Sequence, residues 1–315
     1  MAPPAAPLLA IVGPTASGKS ELALALAEQL PIEILVADSR QVYRGMDLGT
    51  AKPTLAERAR VPHHLIDLAD PSERFSAAEW VAAARTLLPA IAGRGRLPVV
   101  VGGTGLYVTS LVDGHEYATQ AHSPAVRERL VTELERSGLP ALAARLARLA
   151  PEVAARVDQR NPRRVVRALE RVEALGGGGE WPTADPYGGP VAIIGVARPR
   201  DVLVDRIAAR ARRMWTGGLL DEVRALQRAG YGPELEPMTG HGYREAARHL
   251  AGEWSEDEAL EVMIRRIRQY AKRQMTWFRR DARITWLDAA AGPASDAAIV
   301  ASARAIAEEL VSAIS

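Results

Sequence analysis

Cysteine is absent from this 315-residue chain, which excludes disulfides and thiolate metal sites and fits a cytoplasmic protein. Also missing is any apolar run approaching the ~18 residues of a membrane span. The opening segment MAPPAAPLLAIV carries no basic stretch of the kind that starts a secretion signal. There are no internal repeats, and neither charge is in large excess: 40 Lys and Arg face 38 Asp and Glu, for a net charge of +2. That near-balance hides clustering. Seven Lys or Arg and no acid lie between Val262 and Arg280, and Arg160, Arg163, Arg164, Arg167 and Arg171 form a second group. Charge runs are ordinarily solvated helix faces, but two with few neutralising carboxylates favour a polyanionic partner. With 48% apolar residues the chain can bury a large core, as one domain or two.

What is present is organised around residues 8–26. Leu8 to Val12 is a short apolar run suited to a buried parallel strand. It ends in Gly13-Pro14-Thr15-Ala16-Ser17-Gly18-Lys19-Ser20, which fits G-x-x-x-x-G-K-[ST] at every fixed position. A Gly- and Pro-free stretch with Leu22, Leu24, Leu26 and Leu30 follows as a helix. Strand, glycine loop and helix N-terminus make an anion cradle in which loop N–H groups and the helix dipole converge and Lys19 adds a full charge. The expected phosphate contacts are Gly13, Thr15, Ala16, Ser17, Gly18, Lys19 and Ser20, with the Ser20 hydroxyl placed to hold Mg²⁺. The default meaning of such a loop is a kinase or NTPase.

Ile32 to Ala37 reads as a second buried strand, delivering Asp38, Ser39, Arg40 and Gln41 to the sheet edge where ligands sit; a turn or cap role for Asp38 is equally open. The Gly-rich segment 43–53 is a loop that could close over a substrate. His63 to Leu68 suggests a short strand with packed histidines, and Ser76 with Glu79 signals a capping box opening a helix to about Leu88. A third strand, Leu97 to Val101, runs into Gly102-Gly103-Thr104, where P-loop NTPases commonly carry an acid. Here the turn lets backbone approach a ligand and offers one hydroxyl, while Asp38 is the only strand-end carboxylate nearby. The kinase default is weakened accordingly.

Residues 123–137, 139–149 and 161–175 are helical runs, the last with Arg164, Arg167 and Arg171 spaced for one face and followed by four glycines at 176–179. Val191 to Ala197 returns to the sheet, and Arg206, Arg210 and Arg213 follow at i, i+4 and i+7. Surface ion pairing is the ordinary role for each, with Arg206 or Arg210 a credible diphosphate clamp. A helix from Ser255 to Arg280 has Ile264, Ile267, Ala271, Met275 and Phe278 on one face and Arg265, Arg268, Lys272 and Arg279 on another. Ile284 to Asp288 suggests an edge strand. The expected fold class is α/β, a P-loop NTPase-like parallel sheet flanked by helices with an all-helical insertion: core 1–114, insertion 115–190, core again 191–315 with the basic helix.

The segments GPTASGKS (13–20), DSRQVYRGMDLGTAKP (38–53), GGTGLYV (102–108), NPRRVVRALE (161–170), GHGYRE (240–245) and KRQMTWFR (272–279) together make the chain resemble the bacterial tRNA dimethylallyltransferases. Arg40 and His241 depart from the usual pattern. The resemblance implies transfer of a dimethylallyl group from dimethylallyl diphosphate to N6 of adenosine 37 in tRNAs reading codons that start with U. It implies Asp38 as general base and Thr104 as a substrate contact, with Lys19 and Arg210 on the leaving diphosphate. The tRNA contacts it implies are Asp38, Ser39, Arg40, Gln41, Thr104, Arg127, Arg163, Arg164, Arg167, Gly242, Tyr243, Arg244, Lys272, Arg273, Gln274, Trp277 and Arg279. The insertion would grip the anticodon stem-loop of the tRNA, and the enzyme would act as a monomer with no membrane partner. A small-molecule or nucleotide kinase is the alternative on the P-loop alone, and a non-catalytic RNA-binding module a third reading.

Overall fold

In the computed structural model, which describes residues 5–114, 123–174, 184–290, 292–294 and 296–312, six strands form one sheet in which every pairing is parallel. The strands are β1 (Leu8–Val12), β2 (Ile32–Ala37), β3 (His63–His64), β4 (Leu97–Gly102), β5 (Val191–Ala197) and β6 (Ile284–Asp288), in the spatial order β3-β2-β4-β1-β5-β6. The apolar runs expected to be strands are so, because strands covered on both faces bury nearly every side chain; Glu33 in β2, paired with Arg94, is the charged exception. β3 is shorter than the run His63 to Leu68: Leu65 and Asp67 have φ of 65° and 56°, which takes the chain out of extended geometry.

Helices cover both faces. α1 (Lys19–Ala27) and α12 (Ala297–Ser312) pack where Leu9, Ile11, Ile34 and Val99 point. The opposite face, with Leu8, Ala10, Leu35 and Val100, carries α3 (Ala77–Ala92), α4 (Gly105–Asp113), α8 (Arg200–Met214), α9 (Leu220–Arg228), α10 (Tyr243–Leu250) and α11 (Glu256–Phe278). α2 (Leu55–Arg60) follows the loop after β2. The expected box at α3 is present: the Glu79 N–H donates to Ser76 Oγ at 3.2 Å, and the Ser76 N–H to Glu79 Oε2 at 2.7 Å. α8 passes into α9 through a π-helical turn, Trp215–Leu219, whose Gly218 has φ 108°.

The chain divides into two units, residues 1–115 with 186–315 and residues 116–185. In the second, α5 (Pro124–Leu149) breaks at Gly138, with φ 77°, and is followed by α6 (Pro151–Arg156) and α7 (Pro162–Ala174). Leu130, Leu142, Leu146, Val165 and Leu169 make its core. The four glycines 176–179 lie outside the described residues. One expectation is corrected here: Arg171 does not share an exposed face with Arg164 and Arg167 but is only 1% exposed.

Candidate active site

All the loops of interest leave the carboxyl edge of the sheet, because parallel strands deliver their C-termini to one side. The loop after β1 curls with Ala16 at φ 64° and Gly18 at φ 104°, and hands over to the first turn of α1. The first-turn N–H groups, Lys19 to Glu21, have no partner within the helix and are the natural anion donors. Lys19 Nζ donates to the Pro14 carbonyl at 2.7 Å, folding the side chain back over the loop. Burial of the ammonium, then the charge of Arg210, lowers its pKa to about 7, against the opposing pull of Asp38. Arg210 is lowered as well, by burial first. The charge of Asp38 acts on both cations, so its carboxylate lies in their neighbourhood.

The two clamp arginines part company. Arg206 is committed to the loop itself: Nε donates to the Ala16 carbonyl at 2.9 Å, and the guanidinium pairs with Glu21. Arg210 makes no ion pair among the described residues. Beside both arginines opens a cavity of about 840 Å³ lined also by Gly18, Lys19, Ser20, Asp47, Leu48 and residues 51–55. Ser20, exposed at its edge, offers the hydroxyl expected to hold a metal.

At the end of β2, Asp38 Oδ1 accepts the N–H of Arg40 at 2.9 Å and that of Gln41 at 3.4 Å, so the carboxylate also caps its own turn. The N–H of Ser39 donates to Thr104 Oγ1 at 3.0 Å, which joins the β2 and β4 ends. The side chain of Arg40 is turned to Glu236 in a bidentate pair, both bonds 2.8 Å. Gln41 Nε2 donates to the Thr50 carbonyl at 3.1 Å and pins the following loop.

The Gly-Gly-Thr turn has a different purpose from that expected. A Cβ on Gly103 would lie 2.1 Å from Gln274 Nε2, and one on Gly105 2.3 Å from Trp277 Cδ1. The space freed by these glycines is thus filled by α11 and not left for a ligand. Gln274, 6% exposed, accepts the Thr15 N–H at 2.8 Å and donates to the Gly103 carbonyl at 2.9 Å, tying the phosphate loop to the β4 turn. Thr15 accordingly has no free N–H for an anion.

Sequence reasoning missed Tyr270, one turn before Gln274 on the same helix. Its phenol interacts with the side chains of Thr104 and Gln274, and burial followed by the Asp38 charge pushes its pKa up to about 12. The His241 ring lies 5.3 Å from that of Tyr270, and Arg273 sits 5.8 Å over the latter. Burial, then Arg266, Arg273 and Arg40, lowers His241 to about 4 and keeps it neutral. An i−4 count from Gln274 would have drawn attention to Tyr270, whereas nothing local marks His241 as its neighbour.

Of the residues expected to meet RNA, Lys272, Arg273 and Trp277 are exposed on α11, Arg279 at its C-cap, and Arg244 on α10. Tyr243 and Gly242 are buried, Tyr243 at 1% exposure with its hydroxyl donating to Glu222 Oε1 at 2.6 Å. The remaining candidates belong to the second unit. There Arg163 and Arg164 are exposed, Arg127 is half-buried, and Arg167 pairs with Glu170 at 2.9 Å.

A parallel P-loop-like sheet that brings a carboxylate and a hydroxyl to the same carboxyl edge as the phosphate loop, with no acid at the β4 turn, defines a group transferase acting on a phosphorylated donor. The comparisons make this specific. The IPP transferase family model matches residues 41–281 and an isopentenyl transferase model residues 6–66; the chain belongs to the IPP transferase family. It is 46% identical over 286 residues to the tRNA dimethylallyltransferase of Thermobifida fusca, covering 89% of each, and 47% over 290 residues to that of Syntrophobacter fumaroxidans, covering 90% of this chain and 84% of the relative. Among solved structures, the tRNA isopentenylpyrophosphate transferase of Bacillus halodurans is 40% identical, with a TM-score of 0.71 and 96% of each chain covered. A eukaryotic dimethylallyltransferase acting on tRNA has a TM-score of 0.80 at 26% identity, covering 97% of this chain and 79% of the other.

Proposed function

We propose that the chain transfers a dimethylallyl group from dimethylallyl diphosphate to N6 of adenosine 37 in tRNA reading codons that start with U. The observation that carries this reading is that Lys19 and Arg210 line one cavity beside the phosphate loop while the charge of Asp38 acts on both, with Thr104 tied to the Asp38 turn through the Ser39 N–H. A cradle for an anionic leaving group thereby has a base in its neighbourhood.

The adenine N6 lone pair attacks C1 of the dimethylallyl group, the C1–O bond breaks, and diphosphate leaves with the bonding electrons. The N6 proton passes to Asp38. An exocyclic amine is a weak nucleophile, so a placed carboxylate is worth about 10²–10⁴ in rate. Lys19, Arg210 and the N–H groups of the first turn of α1 neutralise the diphosphate as its charge develops. The donor set fits Mg²⁺, which accepts a single protein hydroxyl together with phosphate oxygens and water; Ser20 would hold it. Bound there, the metal would supply further neutralisation of the diphosphate. Asp38 lies at the end of a strand and the target base must leave its stack to reach it. Trp277, 39% exposed beside the Thr104 turn, offers an aromatic surface for the displaced neighbours. The basic face of α11 and Arg163 and Arg164 of the second unit supply the phosphate contacts.

The test is mass spectrometry of an unmodified tRNA with adenosines at its positions 36 to 38, incubated with enzyme, Mg²⁺ and dimethylallyl diphosphate, with ATP as control. One added dimethylallyl group on adenosine 37, dependent on the diphosphate, is expected. ATP consumption without tRNA modification would overturn the reading in favour of a kinase.

A further inference from the structure

Part of the cavity wall is a loop without regular structure, and a side chain far away in sequence holds it. The N–H groups of Asp47 and Leu48 donate to Glu222 Oε2 at 3.1 and 2.7 Å, and that of Gly49 to Oε1 at 3.1 Å. The Tyr243 hydroxyl donates to the same Oε1 at 2.6 Å. Its ring closes on Gly49 so tightly that a Cβ there would lie 2.4 Å from Cε2. Glu222 comes from α9 and Tyr243 from the first turn of α10, so two helices grip a loop that leaves β2. A carboxylate accepting four hydrogen bonds, three from consecutive backbone N–H groups, is a strong and direction-specific anchor. From the other side, Lys52 Nζ donates to the Tyr43 carbonyl at 2.8 Å and to Asp47 and Asp67 at 2.6 Å each. Asp47, Leu48 and Lys52 all line the cavity beside Lys19 and Arg210.

We propose that Glu222 and Tyr243 are a positioning pair for the prenyl transfer: by holding the Asp47–Gly49 wall in place they set the affinity for dimethylallyl diphosphate. The inference rests on the dimethylallyl-transfer reading. Neither residue touches a reacting atom. Freed from Glu222, the loop samples other conformations, and the apparent dissociation constant rises by the inverse of the fraction still competent to bind. Turnover at saturating diphosphate is conserved, because the bound state selects the same wall. A role limited to folding would instead lower kcat through loss of active enzyme and leave KM unchanged.

Two variants of the full chain test this, by steady-state kinetics at saturating tRNA and by calorimetric titration with inorganic diphosphate. Tyr243→Phe removes one of the four bonds and keeps the ring over Gly49. Glu222→Gln puts an NH₂ group against N–H or phenol donors. The KM for dimethylallyl diphosphate and the dissociation constant of inorganic diphosphate should rise about threefold in Tyr243→Phe and about tenfold in Glu222→Gln, with kcat within about twofold. The double variant should resemble Glu222→Gln alone, since the phenol then has no carboxylate to lose. Unchanged diphosphate affinity in folded Tyr243→Phe overturns the proposal, as does a loss confined to kcat or to the KM for tRNA. If Glu222→Gln does not fold, Tyr243→Phe decides by itself. Wild-type enzyme that binds diphosphate but transfers nothing would sink the reaction and not the pair, whose test is then the titration.

Discussion

Replacing Gln274 by alanine should damage the free enzyme before any RNA is present. Its carboxamide makes two bonds between elements far apart in sequence, from the Thr15 N–H at 2.8 Å and to the Gly103 carbonyl at 2.9 Å. Each is worth about 1 kcal/mol net, and each orphaned group costs about 1–3 kcal/mol more where water cannot reach it. The Thr15 N–H is only part-buried, so water replaces some of the loss there; a total of about 3 kcal/mol follows. For a unit of this size that is a fall in Tm of roughly 6–12 °C. Thermal unfolding of the wild type and of Gln274→Ala, each without ligand, measures it. Gln274→Glu separates the two bonds: one carboxylate oxygen still accepts from Thr15, while the other meets the Gly103 carbonyl and repels it. It should fall between the two. The KM for dimethylallyl diphosphate should rise as well, because the phosphate loop loses its tie to the β4 turn. If Gln274→Ala melts within about 1 °C of wild type and only the KM for tRNA changes, the residue is an RNA contact and the tie is unimportant.

Further outcomes follow from the same geometry. Asp38→Asn keeps an oxygen for the Arg40 N–H but cannot take a proton, so single-turnover rates should drop about 10²–10⁴-fold with tRNA binding retained; a near-normal rate would remove Asp38 as the base. Reversing charge at Arg268 and Lys272 should weaken tRNA binding and flatten its salt dependence by about 0.7 in logarithmic slope for each single-strand phosphate no longer neutralised, and an unchanged slope would mean a merely solvated face. Glu33, 3% exposed on β2, accepts from Arg94 at 3.0 and 2.6 Å and contacts His64 at 2.7 Å, and the Arg94 hydrogen bonds hold its pKa below the usual carboxylate range. Its contribution is therefore complete above the unfolded value of ~4.3 and is lost as pH falls through the lower folded value. Glu33→Gln should cost about 2 kcal/mol at neutral pH, and the gap in Tm to wild type should narrow progressively as pH falls below ~4.3; a gap that does not narrow in acid would refute this account.

Much of this enzyme was legible in one dimension. The phosphate loop is local: its strand, glycines and helix are contiguous, and its anion-binding property comes from backbone directions that those residues dictate over eight positions. The strands β1, β2, β4 and β5 could be read because burial on both faces favours apolar runs, and the cap of α3 because Ser and Glu three apart satisfy N–H groups within one turn. The amphipathic periodicity of α11 likewise showed which face carries charge.

Partnerships across the sheet edge were decided only by the fold. Arg206 and Arg210 are indistinguishable by spacing and both line the cavity, yet Arg206 is tied to the loop through Ala16 and Glu21 while Arg210 makes no ion pair among the described residues. Tyr243 and Gln274 stand in segments that read as RNA-facing, and both are buried because α10 and α11 pack inward at those positions. Glu222 looks like an ordinary surface carboxylate of α9 until three N–H groups of a loop some 175 residues earlier meet it. Residue type and local period determine what an element is and which groups it can offer; which of those groups are used up by another element depends on contacts between distant parts of the chain.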